Sequence, residues 1–542
     1  MGIPSYFSYI IKNHSNIIRN FGQCPAFQRL YMDCNSIVYD SYYTIEAECV
    51  KKDIYPSPRK IEEMLINRVL DQIQQLVSFV SPSELVYIAF DGVAPFAKMS
   101  QQRTRRFKSS FAAEKKMWNT TAITPGTLFM KKLCDAVYDK FPQTPSNSVG
   151  GVQWIVSCSD KPGEGEHKLY QHIREHPDGN VNIGVYGLDS DLIMLSILHQ
   201  TYCNGIFVFR EAPEFAKSLS QFDIRPFLPK DTTNKQPLLF IDIVELSVSI
   251  FETMTDSQGT LIIDPQTDLS NIVYKMRIYD YIFICFLLGN DFLPHFPALN
   301  IRTHGIQILL DSYKMIIGKD ETMSIIDCHT MTIRWENVVA LLSEIAKNES
   351  KYISREINER ETKWGKKYWA SNTEDEKKMI IQNAPVMYRS NEKYIHPSNP
   401  GWEKRYYRVF HGNEDVDEIS RNYAEGLEWT FMYYTGGCPC WEWKYHSDYP
   451  PLFSDLTAFI KRNPQPYLQP SKSPPATAFQ QLTYVLPYKD LDLLPKRMCD
   501  KLRGEYSDYY PVKWGFKWGF CRYLWEAHPD IPDMPLQLLK RM

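Results

Sequence analysis

Apolar residues in the first three hundred positions fall into short, nearly unbroken runs, and four of these lead straight into carboxylates. They read LYMD up to Asp33, LVYIAFD up to Asp91, NIGVYGLDSD up to Asp191 and YIFICFLLGND up to Asp291. The first three have the length and side-chain character of buried strands. From residue 1 to about 310 such runs alternate with helix-like sequence, which predicts an α/β domain: a mainly parallel central sheet flanked by helices. Around 339–383 the chain turns charged and helical, as in AKNESKYISREINERETKWGKKYW and ASNTEDEKKM. That stretch predicts one or two surface helices and a loop, a solvated connector rather than a binding face. From about 400 aromatic residues crowd together, with Trp429, Tyr433, Tyr434, Trp441 and Trp443 in one run, and most of these rings are expected in a core. The proline-rich NPQPYLQPSKSPPATAF at 463–479 predicts an extended loop. The chain thus divides into an N-terminal domain over 1–310, a helical connector over 311–400 and an α-rich, aromatic second region over 401–542 packed on the first.

In an open α/β sheet, ligands gather at the carboxyl ends of the strands, so acids at those ends converge although they are far apart in sequence. Asp33, Asp91, Asp189, Asp191 and Asp291 follow apolar runs, and GEGEH adds Glu164 and Glu166. One such Asp taken alone reads as a turn residue or a helix cap. GEGEH and GLDSD each place two acids on alternate residues, and the set of seven reads instead as a site for hard Mg²⁺ or Mn²⁺.

Just beyond Asp91, DGVAPFAKMSQQRTRRFK puts Lys98, Gln102, Arg105 and Arg106 at i, i+4, i+7 and i+8, one face of a helix. Arginine forks, a lysine point charge and neutral amide donors suit a terminal phosphate. A solvated basic face or a nuclear-import signal would use the same residues. The position of Lys98, seven residues after a candidate metal ligand, favours a phosphate pocket beside the metal site.

A length of 542 residues allows two or three domains with a substantial core, and the net charge of −3 excludes a bulk nucleic-acid coat protein. Neither a secretory leader nor a membrane-length apolar run is present in the sequence, so a soluble, unsecreted protein is expected, cytoplasmic by default with the nucleus as the alternative. The twelve cysteines include no CxxC pair, and Cys438 and Cys440 lack partners at zinc-finger spacing, so reduced core thiols are expected. His167 and His295, beside carboxylates, are expected to orient them rather than to act in catalysis.

At this point the chain resembles a known family, the Xrn/Rat 5′→3′ exoribonucleases. The resemblance starts at MGIPSYF and continues through YMDCNSIVY, FDGVAPFAKMSQQRTRRF, ITPGTLFM, PGEGEHK, YGLDSDLIML and LLGNDFLPHFP. A second family region is similar to GWEKRYYRVF, YAEGLEWTFMYYTGGCPCWEWKYH and FQQLTYVLP. It implies a PIN/FEN-like nuclease core, completed by the second region. It also implies that the seven carboxylates hold two Mg²⁺ (or Mn²⁺) ions and that Lys98, Gln102, Arg105 and Arg106 bind a 5′-monophosphate. The first base would be stacked between Tyr39, where the family's usual residue is histidine, and Trp429. Phe96 stands where many members have an arginine, which is expected to weaken the positive field at the pocket mouth.

The implied activity is processive hydrolysis of 5′-monophosphorylated single-stranded RNA to nucleoside 5′-monophosphates by two-metal-ion chemistry, in RNA decay. Capped and 5′-triphosphorylated ends would be refused. A monomer is expected, with a decapping or stabilising protein as a candidate partner. The chain ends at Met542, soon after the second region, whereas large cytoplasmic members continue for hundreds of residues; a compact nuclear-type member or a reduced viral version is therefore expected. A flap-type DNA nuclease and an inactive RNA-binding scaffold are the alternatives. The closed phosphate pocket argues against the first, and the full set of acids against the second.

Overall fold

The computed structural model describes residues 2–3, 5–112, 116–141, 143, 151–212, 238–255, 271–364, 373–463 and 465–542. Seven strands form the central sheet: β1 (Ile18–Arg19), β2 (Arg29–Asp33), β3 (Leu85–Ala89), β4 (Gln153–Ser157), β5 (Asp178–Tyr186), β6 (Cys203–Glu211) and β7 (Leu238–Asp242). Their order across the sheet is β1-β7-β6-β5-β2-β3-β4. β2 runs parallel to β3 on one side and to β5 on the other, and β3–β4 and β5–β6 are also parallel. Only the β7 edge is antiparallel, to β6 and to β1. The mainly parallel sheet expected from the apolar runs is therefore the one observed.

Topology fixes where a ligand would sit. From β2 the chain builds outward through β3 and β4, then crosses back over β2 to build the other half through β5 and β6. This reversal places a crevice at the carboxyl ends of β2, β3 and β5, the ends at which the sequence places acids. Around the sheet lie α1 (Tyr6–Asn13), α2 (Asn35–Lys51), α3 (Pro58–Val80), α4 (Phe96–Ala112), α5 (Leu128–Lys140), α6 (Gly165–Glu175), α7 (Asp191–His199), α8 (Ile243–Met254) and α9 (Ile272–Cys285). The fourth apolar run, YIFICFLLGND, starts in the last turn of α9 (Tyr281–Cys285) and continues through a 3₁₀ turn at Phe286–Leu288 to Asp291; α9 itself is a 14-residue helix with most of its side chains buried.

The two faces of the sheet bury different partners, following the period-two alternation of strand side chains. Leu30, Met32, Val86 and Ile88 pack against α2, α3 and α5. α3 carries the local signals for this: Ser57 caps its first turn by accepting from the Lys60 N–H at 3.3 Å, and Pro58 opens it. Ile61, Leu65, Val69, Ile73, Leu76 and Val80 then form its inward stripe. On the opposite face, Tyr31, Tyr87, Ile183 and Val185 join a core that runs through α1, α6, α7, α8 and α9 into the helices Trp335–Ala346, Val416–Thr435 and Phe453–Arg462. The α-rich second region shares this hydrophobic core with the sheet. Residues 465–477 of the proline-rich stretch carry no helix or strand, while residues 365–372 of the charged connector lie outside the described residues. No described helix is long and apolar enough to cross a membrane.

Glu349 ties the connector to the second region. It is buried, and its carboxylate accepts from the backbone N–H groups of Phe453 (2.9 Å) and Ser454 (3.4 Å) at the start of the Phe453–Arg462 helix. Burial pushes its pKa up to about 8 from 4.5. Between those values the folded chain holds a proton that the unfolded chain has released, so stability falls as pH rises from about 4.5 to about 8. Glu349→Gln is expected to remove a few kcal/mol of that fall. Urea melts of both proteins across the window check it, and parallel pH profiles would contradict it.

Candidate active site

Each expected carboxylate sits where a local rule puts it. Asp33 closes β2, and Asp91 follows β3 by two residues. Glu164 is the N-cap of α6, Glu166 lies in its first turn, and Asp191 opens α7. Acids in such places are favoured by the positive end of the helix. Asp189 lies in the turn after β5, and Asp291 lies just beyond α9.

Close packing draws these elements together. The Gly165 N–H donates to Asp91 Oδ1 at 2.7 Å, and a Cβ on Gly165 would come within 2.6 Å of Asp33 Oδ1. Gly2, at φ +49°, lies so close to Asp191 that a Cβ there would overlap Asp191 Oδ1, at 1.8 Å. Gly2 thus packs its bare backbone against the acidic cluster.

Asp33, Asp91 and Glu166 bring one carboxylate oxygen each within 4.8 Å of one another. Asp33, Asp91, Glu164, Glu166 and Asp189 all line one cavity of about 240 Å³. Asp291 joins through Lys98, whose ammonium lies 2.7 Å from Asp291 and 3.9 Å from Glu166 and pairs closely with Glu164. Asp191 feels the charges of Asp291, Lys98 and Asp189.

The electrostatics are those of a site built for a cation. Burial, followed by the Asp91 and Asp189 charges, drives the Asp33 carboxyl well above its usual range. Burial does the same to Glu166 against the pull of Lys98, and lifts Asp191 to about 6. At Asp291 burial also works upward and is the largest single effect, but the Lys98 charge and hydrogen bond, the N-terminal amine and the Arg105 charge together outweigh it and hold this carboxyl below its usual range. Asp33 Oδ1 and Asp191 Oδ1 are buried with no hydrogen-bond donor. Crowded carboxylates with orphaned oxygens and an oxygen-only donor set fit a hard divalent cation. His167 is within ligand reach of Glu164 and Glu166, but its ring stacks on Tyr433 at 3.6 Å and burial lowers its pKa, keeping it neutral. Burial likewise takes His295 down to about 4.

α4 supplies the other wall of the same cavity. Lys98, Gln101, Gln102, Arg105 and Arg106 line it with Tyr39, while Ile123, Pro125 and Met130 close it. Arg106 is fixed by Thr124 Oγ1 and, at 3.4 Å, by the Ile123 carbonyl, leaving its Nε buried without an acceptor. Both Arg105 and Arg106 have the Tyr39 hydroxyl as a side-chain partner.

Three expectations change. The sequence places Lys98 at the phosphate, yet its ammonium sits among the carboxylates, because the buried negative charge attracts it more strongly than the open pocket does. Trp429 is expected to stack on a base. It is instead fully buried: its indole N–H donates to the Cys440 carbonyl at 2.8 Å, and its ring packs against Phe292, Tyr433 and Trp443. It lines neither this cavity nor the 730 Å³ one on the other side of α4, so no ring face is free there for a base. Phe96 is buried against Tyr484 and does not line this cavity.

Two residues escape a reading of the sequence. Tyr433 donates its hydroxyl to Glu164 Oε1 at 2.8 Å, and Gln481 donates its Nε2 to Gln102 Oε1 at 3.1 Å. Both come from the second region, more than 250 residues away from their partners in sequence, and no local pattern marks them.

Known proteins share this chain's motifs over nearly its whole length. Residues 1–212 match the family described as the XRN 5′-3′ exonuclease N-terminus, and residues 272–396 and 358–534 match the Xrn1 helical domain. The chain is 25% identical to 5′-3′ exoribonuclease 1 of Saccharomyces cerevisiae, over 95% of this chain and 41% of that protein. It is 26% identical to human 5′-3′ exoribonuclease 1, over 98% of this chain and 33% of the human protein. Against 5′-3′ exoribonuclease 2 of Candida albicans the identity is 24%, over 98% and 71%. The chain spans less than half the length of the two exoribonuclease 1 relatives.

Proposed function

Because the chain belongs to the XRN 5′-3′ exonuclease family, we propose that it is a processive 5′→3′ exoribonuclease. Its substrate would be single-stranded RNA with a 5′-monophosphate, its products nucleoside 5′-monophosphates and its role RNA decay. The observation that carries this reading is one cavity walled by Gln102, Arg105 and Arg106 on one side and by Asp33, Asp91, Glu166 and Asp189 on the other.

Arg105, Arg106 and the Gln102 amide hold the terminal phosphate through charge-assisted hydrogen bonds. With that end fixed, the next phosphodiester lies over the carboxylate cluster. Asp33, Asp91, Glu164, Glu166, Asp189, Asp191 and Asp291 would hold the cations, proposed as two Mg²⁺ or Mn²⁺ ions. When bound, such ions supply a nucleophile at neutral pH and stabilise the leaving oxygen. Lys98, paired with Glu164 and Asp291, would neutralise part of the cluster's charge beside the phosphate donors. Tyr39 offers a ring face to the first base. Each cleavage leaves a new 5′-phosphate that the same donors recapture, which accounts for processivity. Ile123, Pro125 and Met130, which line the cavity beside the phosphate donors, would exclude a cap.

The test is degradation of one 3′-labelled RNA bearing a 5′-monophosphate, hydroxyl, triphosphate or cap, with Mg²⁺ or EDTA, beside a flap DNA. Mg²⁺-dependent loss of the monophosphate form alone, with mononucleotide products, is expected. Equal attack on all four ends, or preference for the flap, would overturn the reading.

A further inference from the structure

We propose that Gln481 is a positioning residue that sets the polarity of the phosphate pocket by locking the Gln102 amide with its NH₂ group toward the ligand; this rests on the reading of that cavity as a 5′-phosphate site. One group in this chain of hydrogen bonds has a fixed polarity. The backbone N–H of Ala94 can only donate, and its partner is Gln481 Oε1 at 2.8 Å. With its oxygen committed there, Gln481 turns its Nε2 toward Gln102, and the atom of Gln102 that receives it at 3.1 Å is the amide oxygen Oε1. Both hydrogens of the Gln102 amide are then left for the cavity that this side chain lines with Arg105 and Arg106. Flipping either amide would set two donors or two acceptors against each other beside Gln481, which is fully buried.

The relay makes the side-chain lining contributed by Gln102, Arg105 and Arg106 a set of donors, which suits an anion and offers nothing to a terminal hydroxyl's proton. Its anchor is firm. Gln481 lies in the helix Ala478–Val485, which a Thr477–Gln480 capping box starts, and Tyr484 of that helix packs on Phe96 at the beginning of α4 while its carbonyl accepts from Arg103. α4 and the Ala478–Val485 helix therefore hold each other in register, and the 379 residues between the two glutamines make this a long-range specification of the pocket.

The experiment is equilibrium binding in EDTA of one short RNA carrying either a 5′-monophosphate or a 5′-hydroxyl, to the wild-type chain, Gln481→Glu and Gln481→Met. At a pH where it is ionised, the carboxylate introduced by Gln481→Glu still accepts from the Ala94 N–H and cannot donate, so Gln102 turns its carbonyl into the pocket. Preference for the phosphorylated end is expected to fall about tenfold in Gln481→Glu. Methionine releases Gln102 without reversing it, and a fall of about threefold is expected. Affinity for the hydroxyl end should stay at the wild-type value in both, whereas a purely structural role would weaken both RNAs together. Unchanged preference in both variants, against a preferring wild type, overturns the role of Gln481 and leaves the pocket reading intact. A wild type that prefers neither end overturns the pocket reading and this inference with it.

Discussion

Asp33→Asn is expected to abolish turnover, by about 10³-fold or more, while raising the thermal midpoint of the metal-free protein. The two effects have one origin. Asp33 ends β2, is only 5% exposed, and faces Asp91 and Asp189 with its Oδ1 unpartnered. Burial and the Asp91 and Asp189 charges hold its carboxyl well above the usual range, so the ionised form opposes folding, and stability returns as pH falls through the folded-state value. Removing the charge relieves that opposition and also removes an oxygen that a cation requires. Wild type should gain midpoint as Mg²⁺ is added, because only the folded state brings these acids together, and Asp33→Asn should gain much less. Calorimetry with and without Mg²⁺, beside single-turnover cleavage, reads both effects. A variant that keeps the full Mg²⁺-induced rise would remove Asp33 from the ligand set. RNA affinity measured in EDTA should hold, since the phosphate donors lie on α4.

The parts of this site that can be read from the sequence are those set by short-range rules. An apolar run ending in Asp marks a strand end, and the parallel order of β5, β2 and β3 brings such ends to one edge, so Asp33, Asp91 and Asp189 are legible. A helix face is also local, which is why Gln102, Arg105 and Arg106 are found together. The rotation of the Val416–Thr435 helix is a different matter. Tyr423, Leu427, Trp429, Phe431, Tyr433 and Tyr434 are all buried on it, so periodicity cannot say which ring meets the site. The tertiary packing turns Tyr433 toward Glu164 and encloses Trp429. Lys98 departs from its expected place for an electrostatic reason: spacing puts it on the correct helix face, but the field of buried carboxylates, which only the assembled fold creates, decides where its flexible ammonium goes. Gln481 is invisible in the sequence because its role depends on a hydrogen-bond polarity that starts at the backbone of Ala94.

Arg106 carries the second large effect, and its geometry separates charge from shape. Thr124 Oγ1 and the Ile123 carbonyl hold one side of its guanidinium, the Tyr39 hydroxyl is a further partner, and the rest of the fork lines the cavity. Lysine at this position keeps the positive charge and loses the planar fork, and alanine loses both. Arg106→Ala is expected to lower kcat/KM on 5′-monophosphorylated RNA by about 10²- to 10³-fold, matching the loss of a charge-assisted, bidentate contact in a largely enclosed site. Arg106→Lys should lose about tenfold. On 5′-hydroxyl RNA, which makes no such contact, the wild type should already be slow and both variants should match it. Selectivity between the two ends is thus expected to collapse by a fall in the faster reaction rather than a rise in the slower. If Arg106→Ala slowed both substrates by the same factor, the residue would be acting through the fold of α4 and the Thr124 turn, and the phosphate would have to be held by Arg105 and Gln102 without it.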